Sequence, residues 1–266
     1  MKILIAADVH IRTKVEPQRR GRTLQALRTA FQTVPCDLAV FLGDLMHGPD
    51  YGDDRERFLC DLREALDATG DVPFAFVFGN HDAESAVTKE EILRVIGEYP
   101  NARVQGENYV LRIGGETLLF IDSGSEYDGP ESHYDIVRPH VLQWAKQQIE
   151  GERAILFQHI IIPDILDLVE PDNSGVWRFK PGVAYAGELH ERPCPPDLNT
   201  GELEILAPYL KAMVFGHDHV NSFTCTMQGV RLIQCAAASV SGYEYPQEPT
   251  VRLLDTATMT TEIIHV

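Results

Sequence analysis

The chain has 266 residues, 44% of them hydrophobic and 24% charged, which is the composition of an ordinary soluble globular protein. Its net charge of −17 argues against a polyanionic partner such as duplex DNA, and no apolar run reaches the roughly 18 residues of a membrane span. The five cysteines are scattered and form no Cys-x-x-Cys pair, which argues against a disulfide framework and a thiolate zinc site. The N-terminus lacks the pattern of a signal peptide, so we expect a cytoplasmic protein.

Short apolar strands alternate with amphipathic helices in the first part of the chain. We predict strands at Lys2–Ala7, Asp37–Leu42 and Pro73–Phe78, and helices at Arg19–Val34, Asp54–Ala68 and Thr88–Ile96. The third helix starts with a capping-box pattern, because Glu91 stands three residues after Thr88.

Hairpin signals dominate the second part of the chain. The Gly114-Gly115 and Gln228-Gly229 turns each separate two β-rich runs, and further strands are predicted at 154–157, 211–215, 250–254 and 261–265, with helices at 139–149 and 202–210. Six prolines make residues 163–200 a loop-rich insertion, and loops of this length are usually functional. We therefore predict one domain over residues 1–266, an α/β fold in which two sheets are each covered by helices, a four-layer α/β/β/α sandwich.

Polar side chains follow five of the apolar strands. They are Asp8 and His10, then Asp44, then Asn80 and His81, then His159, and finally His217 and His219. Ligands of open α/β sheets bind at the carboxyl ends of strands. We expect extended backbone at Asp8–His10 and at His217–His219, so that both members of each pair point to the same side.

These residue types suit a pair of metal ions. Without His81 there are seven of them, comprising two carboxylates, one amide and four imidazoles, about the number that two adjacent ions need. Asp44 can give one oxygen to each ion. Two divalent ions, two aspartates and one bridging hydroxide leave one net positive charge, which attracts an anionic substrate. Ions about 3.5–4 Å apart can generate that hydroxide and promote in-line attack at phosphorus, with His81 protonating the leaving alkoxide.

Five motifs follow one another between Asp8 and His219: Asp-x-His, Gly-Asp, Gly-Asn-His-Asp, a lone His and Gly-His-x-His. This order resembles the calcineurin-like metallophosphoesterase superfamily. The resemblance implies an α/β/β/α sandwich with a two-metal site and His81 as the general acid. It implies one ion held by Asp8, His10, Asp44 and His219, and a second held by Asp44, Asn80, His159 and His217.

Within the superfamily, GNHDAE and GHDHVNSF are most similar to plant and fungal phosphatases related to purple acid phosphatase. True purple acid phosphatases have a tyrosine three residues after the aspartate of the second motif, where this chain has His47. We therefore expect no iron–tyrosinate colour. Manganese is the expected metal, and iron, zinc and nickel remain alternatives.

Residues beside the motifs carry lesser roles. Asp82 and Asp218 are expected to accept hydrogen bonds next to ligands. The remaining histidines are expected at the surface or in loops, with His133 and His190 as candidates for lining the pocket: His47, His133, His140, His190 and His265. Arg178, Tyr185 and Glu188 are further candidates for substrate contact.

Three functions compete. A metal-dependent hydrolase of a small phosphomonoester or phosphodiester agrees with the acidic surface and the Pro-rich insertion. The net charge weighs against a nuclease of the DNA-repair type, and nucleic acid and membrane partners are not expected. A non-catalytic scaffold is disfavoured because all eight motif positions are filled.

Overall fold

The computed structural model describes residues 1–240 and 248–266, and in those ranges it contains five α-helices and fourteen strands. The helices are α1 Pro17–Thr33, α2 Arg55–Leu66, α3 Lys89–Ile96, α4 Pro139–Ile149 and α5 Glu202–Leu206. The strands of the first half are β1 Lys2–Ala6, β2 Leu38–Leu42, β3 Phe74–Val77, β4 Tyr109–Ile113, β5 Glu116–Phe120 and β6 Ala154–Phe157. The remaining strands are β7 Val169–Pro171, β8 Trp177–Phe179, β9 Tyr185–Glu188, β10 Leu210–Phe215, β11 Ser222–Met227, β12 Val230–Gln234, β13 Thr250–Asp255 and β14 Thr260–His265.

Two large mixed sheets form the centre of the fold. One has the strand order β14-β13-β1-β2-β3, and the other has the order β4-β5-β6-β10-β12-β11-β9. Neighbours are parallel from β1 to β3 and from β5 through β6 and β10 to β12. The carboxyl ends of these parallel strands therefore lie at one edge of each sheet.

Three apolar clusters separate four layers. Alternate residues of β1 point in opposite directions, so Ile3 and Ile5 pack between the two sheets while Leu4 packs under α1, α2 and α3. On the far side, α4 and α5 cover the second sheet through Leu142 and Leu206. Because both faces of the parallel strands are covered, most of the residues in these strands are apolar. The predicted four-layer α/β/β/α sandwich is confirmed.

Most predicted elements are present with ends shifted by a few residues. The capping box of α3 is formed, since Thr88 N–H donates to Glu91 Oε2 at 3.0 Å and Glu91 N–H donates to Thr88 Oγ1 at 3.4 Å. The helix predicted at 202–210 ends at Leu206, where one 3₁₀ turn containing Pro208 follows. Proline lacks the N–H that an α-helix would need there.

The insertion is more regular than its prolines indicate. Residues 163–200 contain a 3₁₀ turn, the two-stranded β7-β8 sheet, and β9, which pairs antiparallel with β11 at the edge of the large sheet. Strands of three or four residues are too short for a periodic pattern to reveal, so the sequence indicated loops there. No helix among the described residues has the length and apolar character to cross a bilayer.

Glu202 begins α5 in an apolar setting. It is 4% exposed, and its Oε1 and the Oε1 of Gln158 accept no hydrogen bond within the described part of the chain. Burial raises the pKa of Glu202 to about 8, although Gln158 lowers it. The carboxyl group is therefore largely protonated in the folded protein at neutral pH.

We expect Glu202→Gln to stabilise the protein increasingly as the pH rises. The folded chain holds a proton that the unfolded chain releases above its ordinary pKa of 4.5, so the free energy of unfolding falls between pH 4.5 and about 8. The free energy of unfolding falls by up to about 1.4 kcal/mol per pH unit, and the glutamine removes this pH dependence because it does not titrate. Urea unfolding from pH 5 to 8 measures the effect, with the exposed Glu204→Gln as control. A stability difference that stays constant over this range would contradict the expectation.

Candidate metal centre

The five motif segments meet at the carboxyl ends of β1, β2, β3, β6 and β10. Asp8, Asp44 and Asn80 follow the three parallel strands of the first sheet, while His159 and His217 follow two strands of the second. The site thus lies where one edge of each sheet comes together. Both sheets are linked there, because Ala238 N–H donates to Ala7 O at 2.8 Å.

The backbone at these motifs is left-handed and not extended as predicted. Asp8, His10, Asp44 and His217 have φ values of 51°, 47°, 51° and 72°. Such values are uncommon for residues other than glycine and are retained when the surrounding structure stabilises them. The predicted pairs do converge, but because the chain turns sharply at each strand end.

Asp44 lies at the centre of the cluster and is 1% exposed. Its Oδ2 lies 3.3 Å from His159 Nε2 and 3.6 Å from His10 Nε2, and its Oδ1 accepts the His81 N–H at 2.8 Å. Asp82 stabilises this position, because its carboxylate accepts hydrogen bonds from the backbone N–H groups of Asp44 and Gly79 at 2.9 and 2.8 Å. Asp82 is therefore the hydrogen-bond acceptor expected from the sequence, and it joins the second motif to the third.

Four ligand-type groups form one compact set. Ligand atoms of Asp8, His10, Asp44 and His219 all lie within 4.8 Å of one another. Nε2 of His10 faces Nε2 of His219 at 3.0 Å, and Asp8 Oδ1 lies 3.5 Å from His219 Nε2. The same four residues were assigned to one ion by the family resemblance.

Asn80, His159 and His217 adjoin this set. His159 Nδ1–H donates to Leu42 O at 2.9 Å, which leaves Nε2 directed at the carboxylates. The His217 ring lies 5.3 Å from the His159 ring, and its backbone N–H donates to Asp8 Oδ2 at 2.9 Å. Asn80 is 6% exposed, and its Oδ1 is buried without a hydrogen-bond donor among residues 1–240 and 248–266.

Burial controls the charges of these groups. It lowers the pKa of His10 and His217 well below the ordinary value and that of His219 to about 4, so these imidazoles are neutral near pH 7. Burial also lowers the pKa of His159, but the charges of Asp44 and Asp8 outweigh it and raise this pKa to about 10.

This donor set fits divalent cations. Carboxylate oxygens, neutral imidazoles and an amide oxygen are common ligands of such ions. The buried Asn80 Oδ1 would gain a partner. Cations would also offset the buried negative charge of Asp44, whose pKa lies well below its ordinary value.

Glycines allow the motifs to approach one another. A Cβ on Gly79 would lie 2.2 Å from Asp44 Oδ1, and a Cβ on Gly43 would lie 2.3 Å from His159 Nδ1. Each glycine therefore leaves space for a polar side chain of a neighbouring motif.

His81 lies next to the cluster with its Nδ1–H donating to Glu84 Oε2 at 2.5 Å. Ser125 Oγ holds this region by donating to Asn80 O at 2.7 Å. Burial lowers the pKa of His81, but the hydrogen bond with Glu84 and the charge of Asp44 raise it above its ordinary value overall. Sequence reasoning missed Glu84, although its spacing of three residues from His81 places the two side chains within reach.

His47 lies in a loop, as predicted, but its side chain is largely enclosed. Its side chain is 16% exposed, its Nδ1 lies 3.3 Å from His10 Nδ1, and its ring lies 4.7 Å from the His81 ring. Burial and Arg12 lower its pKa to about 4. His47 therefore contacts the face of His10 that points away from the carboxylates.

A cavity of about 170 Å³ opens onto the cluster, and we call it the metal-side cavity. Asp44, His81, His217 and His219 line one part of it. Tyr134, Glu191, Cys194 and Asp218 line the rest, and the Tyr134 ring stands edge-on to the His217 ring at 4.5 Å. Sequence reasoning missed Tyr134, Glu191 and Cys194, because residues 134 and 191–194 reach the site only through the folding of loops.

The remaining residues that the sequence analysis named as candidates lie in different places. Asp218 accepts hydrogen bonds from Cys194 N–H and the Asn221 amide, as expected for an acceptor. His190 and Glu188 pair at 2.8 Å and line a separate cavity. His133, His140 and His265 are exposed, Tyr185 is 53% exposed, and Arg178 pairs with Asp172 at 3.1 Å.

We expect Gly79→Ala to lower the metal content of the purified protein. The added Cβ would displace Asp44, whose carboxylate has no free space on that side. Metal analysis and the melting temperature measure the effect. Gly21→Ala in α1, where a Cβ meets nothing within 4 Å, is the matched control. An unchanged metal content in Gly79→Ala would contradict the proposed steric role.

Comparisons with known proteins agree with this geometry. Residues 1–221 match the family described as calcineurin-like phosphoesterase. The probable inactive purple acid phosphatase 14 of Arabidopsis thaliana is 27% identical over 83% of this chain and 63% of its own length, so this chain spans less than two thirds of that relative. Serine/threonine-protein phosphatase CPPED1 of Danio rerio is 30% identical over 46% of this chain and 39% of its own length.

A solved dimetal phosphatase from Danio rerio has the same fold, with a TM-score of 0.60 and 14% identity over 99% of this chain and 98% of its own. The family match covers most of the chain and all five motif segments. The chain therefore belongs to the calcineurin-like phosphoesterase family.

Proposed function

We propose that the protein hydrolyses a phosphate ester with the help of two divalent metal ions. The observation that carries this proposal is the buried set of Asp8, His10, Asp44 and His219, whose ligand atoms lie within 4.8 Å of one another. These four residues would hold one ion. Asp44, Asn80, His159 and His217 would hold the second, with Asp44 shared, and manganese is the metal we propose.

Bound divalent ions supply the activation of water and the neutralisation of charge on the phosphoryl group. The chain's own residues do the rest. Asp82 fixes the backbone of Asp44, and the Leu42 carbonyl fixes the orientation of the His159 ring. Burial keeps His10, His217 and His219 neutral, which keeps their nitrogens available as ligands.

His81 is proposed as the general acid. Glu84 accepts its Nδ1–H, so the imidazole is held in one orientation and its proton-bearing form is favoured. His81 lines the metal-side cavity, where it can give a proton to the departing alkoxide. Glu84 thereby serves as a positioning residue for His81.

Several relatives carry the word inactive in their names, which keeps a non-catalytic role as the second candidate. The complete set of motif residues in this chain favours hydrolysis, because every proposed ligand position holds a residue with an atom that can bind a metal ion.

We expect Asp44→Asn to reduce the hydrolysis of p-nitrophenyl phosphate and of bis(p-nitrophenyl) phosphate at least about 100-fold. Even the mutation of a residue that only hydrogen-bonds to a metal ligand typically lowers metal affinity or activity about 10–100-fold. Its metal content should fall in parallel, because an amide offers one neutral oxygen where the carboxylate offers two. Activity is assayed with added manganese on metal-analysed protein. The exposed Asp71→Asn is the control, and full activity in Asp44→Asn would exclude the shared-ligand role.

We expect His81→Ala to keep its metals and to lose rate mainly on esters with poor leaving groups. A general acid contributes about 10²–10⁴-fold when the leaving alkoxide needs a proton, and little when the leaving group is p-nitrophenolate. Glu84→Gln should show the same dependence with a smaller loss, and the exposed His140→Ala should show none. Equal losses across a series of leaving groups would rule out His81 as the acid.

A further inference from the structure

Two cavities meet at His219. His219 lines the metal-side cavity and also lines a second cavity of about 440 Å³. We call the second one the edge cavity, because it is bordered by residues of β9 and β14, each the outer strand of its sheet. A group bound near His219 could therefore extend in two directions.

The residues that loops add to the metal-side cavity are neutral or acidic. Tyr134 carries a phenol whose pKa burial raises to about 12, Cys194 carries a thiol, and Glu191 carries a carboxylate. Arg12, the guanidinium nearest the motifs in sequence, faces Asp50 at 3.2 Å and lines a different cavity. Residues 241–247, which follow β12, contain no lysine or arginine in their sequence.

This lining discriminates between phosphate esters by charge. A phosphomonoester carries up to two negative charges near neutral pH, and enzymes that bind such dianions commonly place an arginine fork on the non-bridging oxygens. Here the second charge of a monoester would face Glu191 instead. A phosphodiester carries one negative charge, so it meets less repulsion.

The edge cavity has the size and surface of a small-molecule site. Its volume of about 440 Å³ lies within the usual range of roughly 300–1,000 Å³. Val220, Ala236 and Ile263 give it apolar walls. Polar groups line the rest, including the Thr250 hydroxyl and the Glu188–His190 and Glu248–His265 pairs. A ring-bearing group fits this combination of apolar wall and polar edge.

We propose that the substrate is a phosphodiester whose non-leaving alcohol carries a ring-sized group that binds in the edge cavity. This inference rests on the proposed function. The phosphoryl group lies at the metal centre, and the leaving alcohol faces His81. Water adds to phosphorus, the bond from phosphorus to the leaving oxygen breaks, and that oxygen takes a proton, so the diester and one water give a monoester and an alcohol. The monoester product gains a charge, and Glu191 favours its departure.

The first test compares three esters with the same leaving group on the manganese-loaded protein. They are p-nitrophenyl phosphate, methyl p-nitrophenyl phosphate and thymidine 5′-(p-nitrophenyl phosphate). We expect kcat/KM to rise in that order, with the thymidine ester about tenfold or more above the methyl ester, as pocket contacts of this size allow. A faster monoester, or equal rates for the two diesters, would overturn the inference. If none of the three is hydrolysed, the proposed function itself fails, and the inference with it.

Variants separate the two parts of the inference. Ala236→Phe and, independently, Ile263→Trp fill the edge cavity and should remove the advantage of the thymidine ester over the methyl ester. Val176→Trp, at another apolar residue that is 40% exposed, should change neither rate. Glu191→Gln should raise the monoester rate relative to the diester rate several-fold, and the exposed Glu170→Gln should leave the ratio unchanged. An unchanged preference in both cavity-filling variants would overturn the assignment of the edge cavity.

Binding gives a readout that does not depend on turnover. Saturation-transfer NMR should detect contact between the manganese-free but zinc-loaded protein and thymidine alone, and Ala236→Phe should abolish it. Thymidine signals of equal strength in both proteins would place the ring elsewhere and contradict the inference.

Discussion

The carboxylate of Asp44 is the contact on which the arrangement of the site depends. The His81 N–H donates to it, the imidazoles of His10 and His159 face it, and Gly79 leaves just enough space beside it. A buried carboxylate in such a position is costly unless positive charge or hydrogen bonds compensate for it. The left-handed backbone at the strand ends follows from this constraint, since the chain must turn sharply for each side chain to reach the same point. The family match and the fold agree with this picture of a site formed by loops on a rigid pair of sheets.

The sequence predicted the fold well because its signals are local. Buried strands of four to six apolar residues, a capping box and glycine-containing turns can each be recognised within a short window. The family and the four-layer sandwich are therefore confirmed. The sequence did not reveal the short strands of the insertion, whose pairing depends on partners far along the chain, such as β11 for β9. The ligand assignments and the roles of single residues stay predictions.

The site was predictable in composition but not in detail. Residues at strand ends could be identified because parallel strands bring their carboxyl ends together, as with Asp8, Asp44 and Asn80. The contacts of His47 were not predicted, because they depend on how its loop packs against His10, and no periodicity describes such a loop. Tyr134 and Glu191 were missed for the same reason. The expectation of extended backbone gave the right convergence for a wrong reason, because positive φ values at histidine and aspartate cannot be anticipated from a motif alone.

The origin of the ligands in both sheets has a consequence for folding. Asp8, His10, Asp44 and Asn80 come from one sheet, and His159, His217 and His219 come from the other. Ions held by both groups would link the two sheets, and their binding free energy would add directly to the free energy of unfolding. Starvation of the cell for the metal would then lower the amount of intact protein as well as its catalytic rate, so protein abundance would report metal supply.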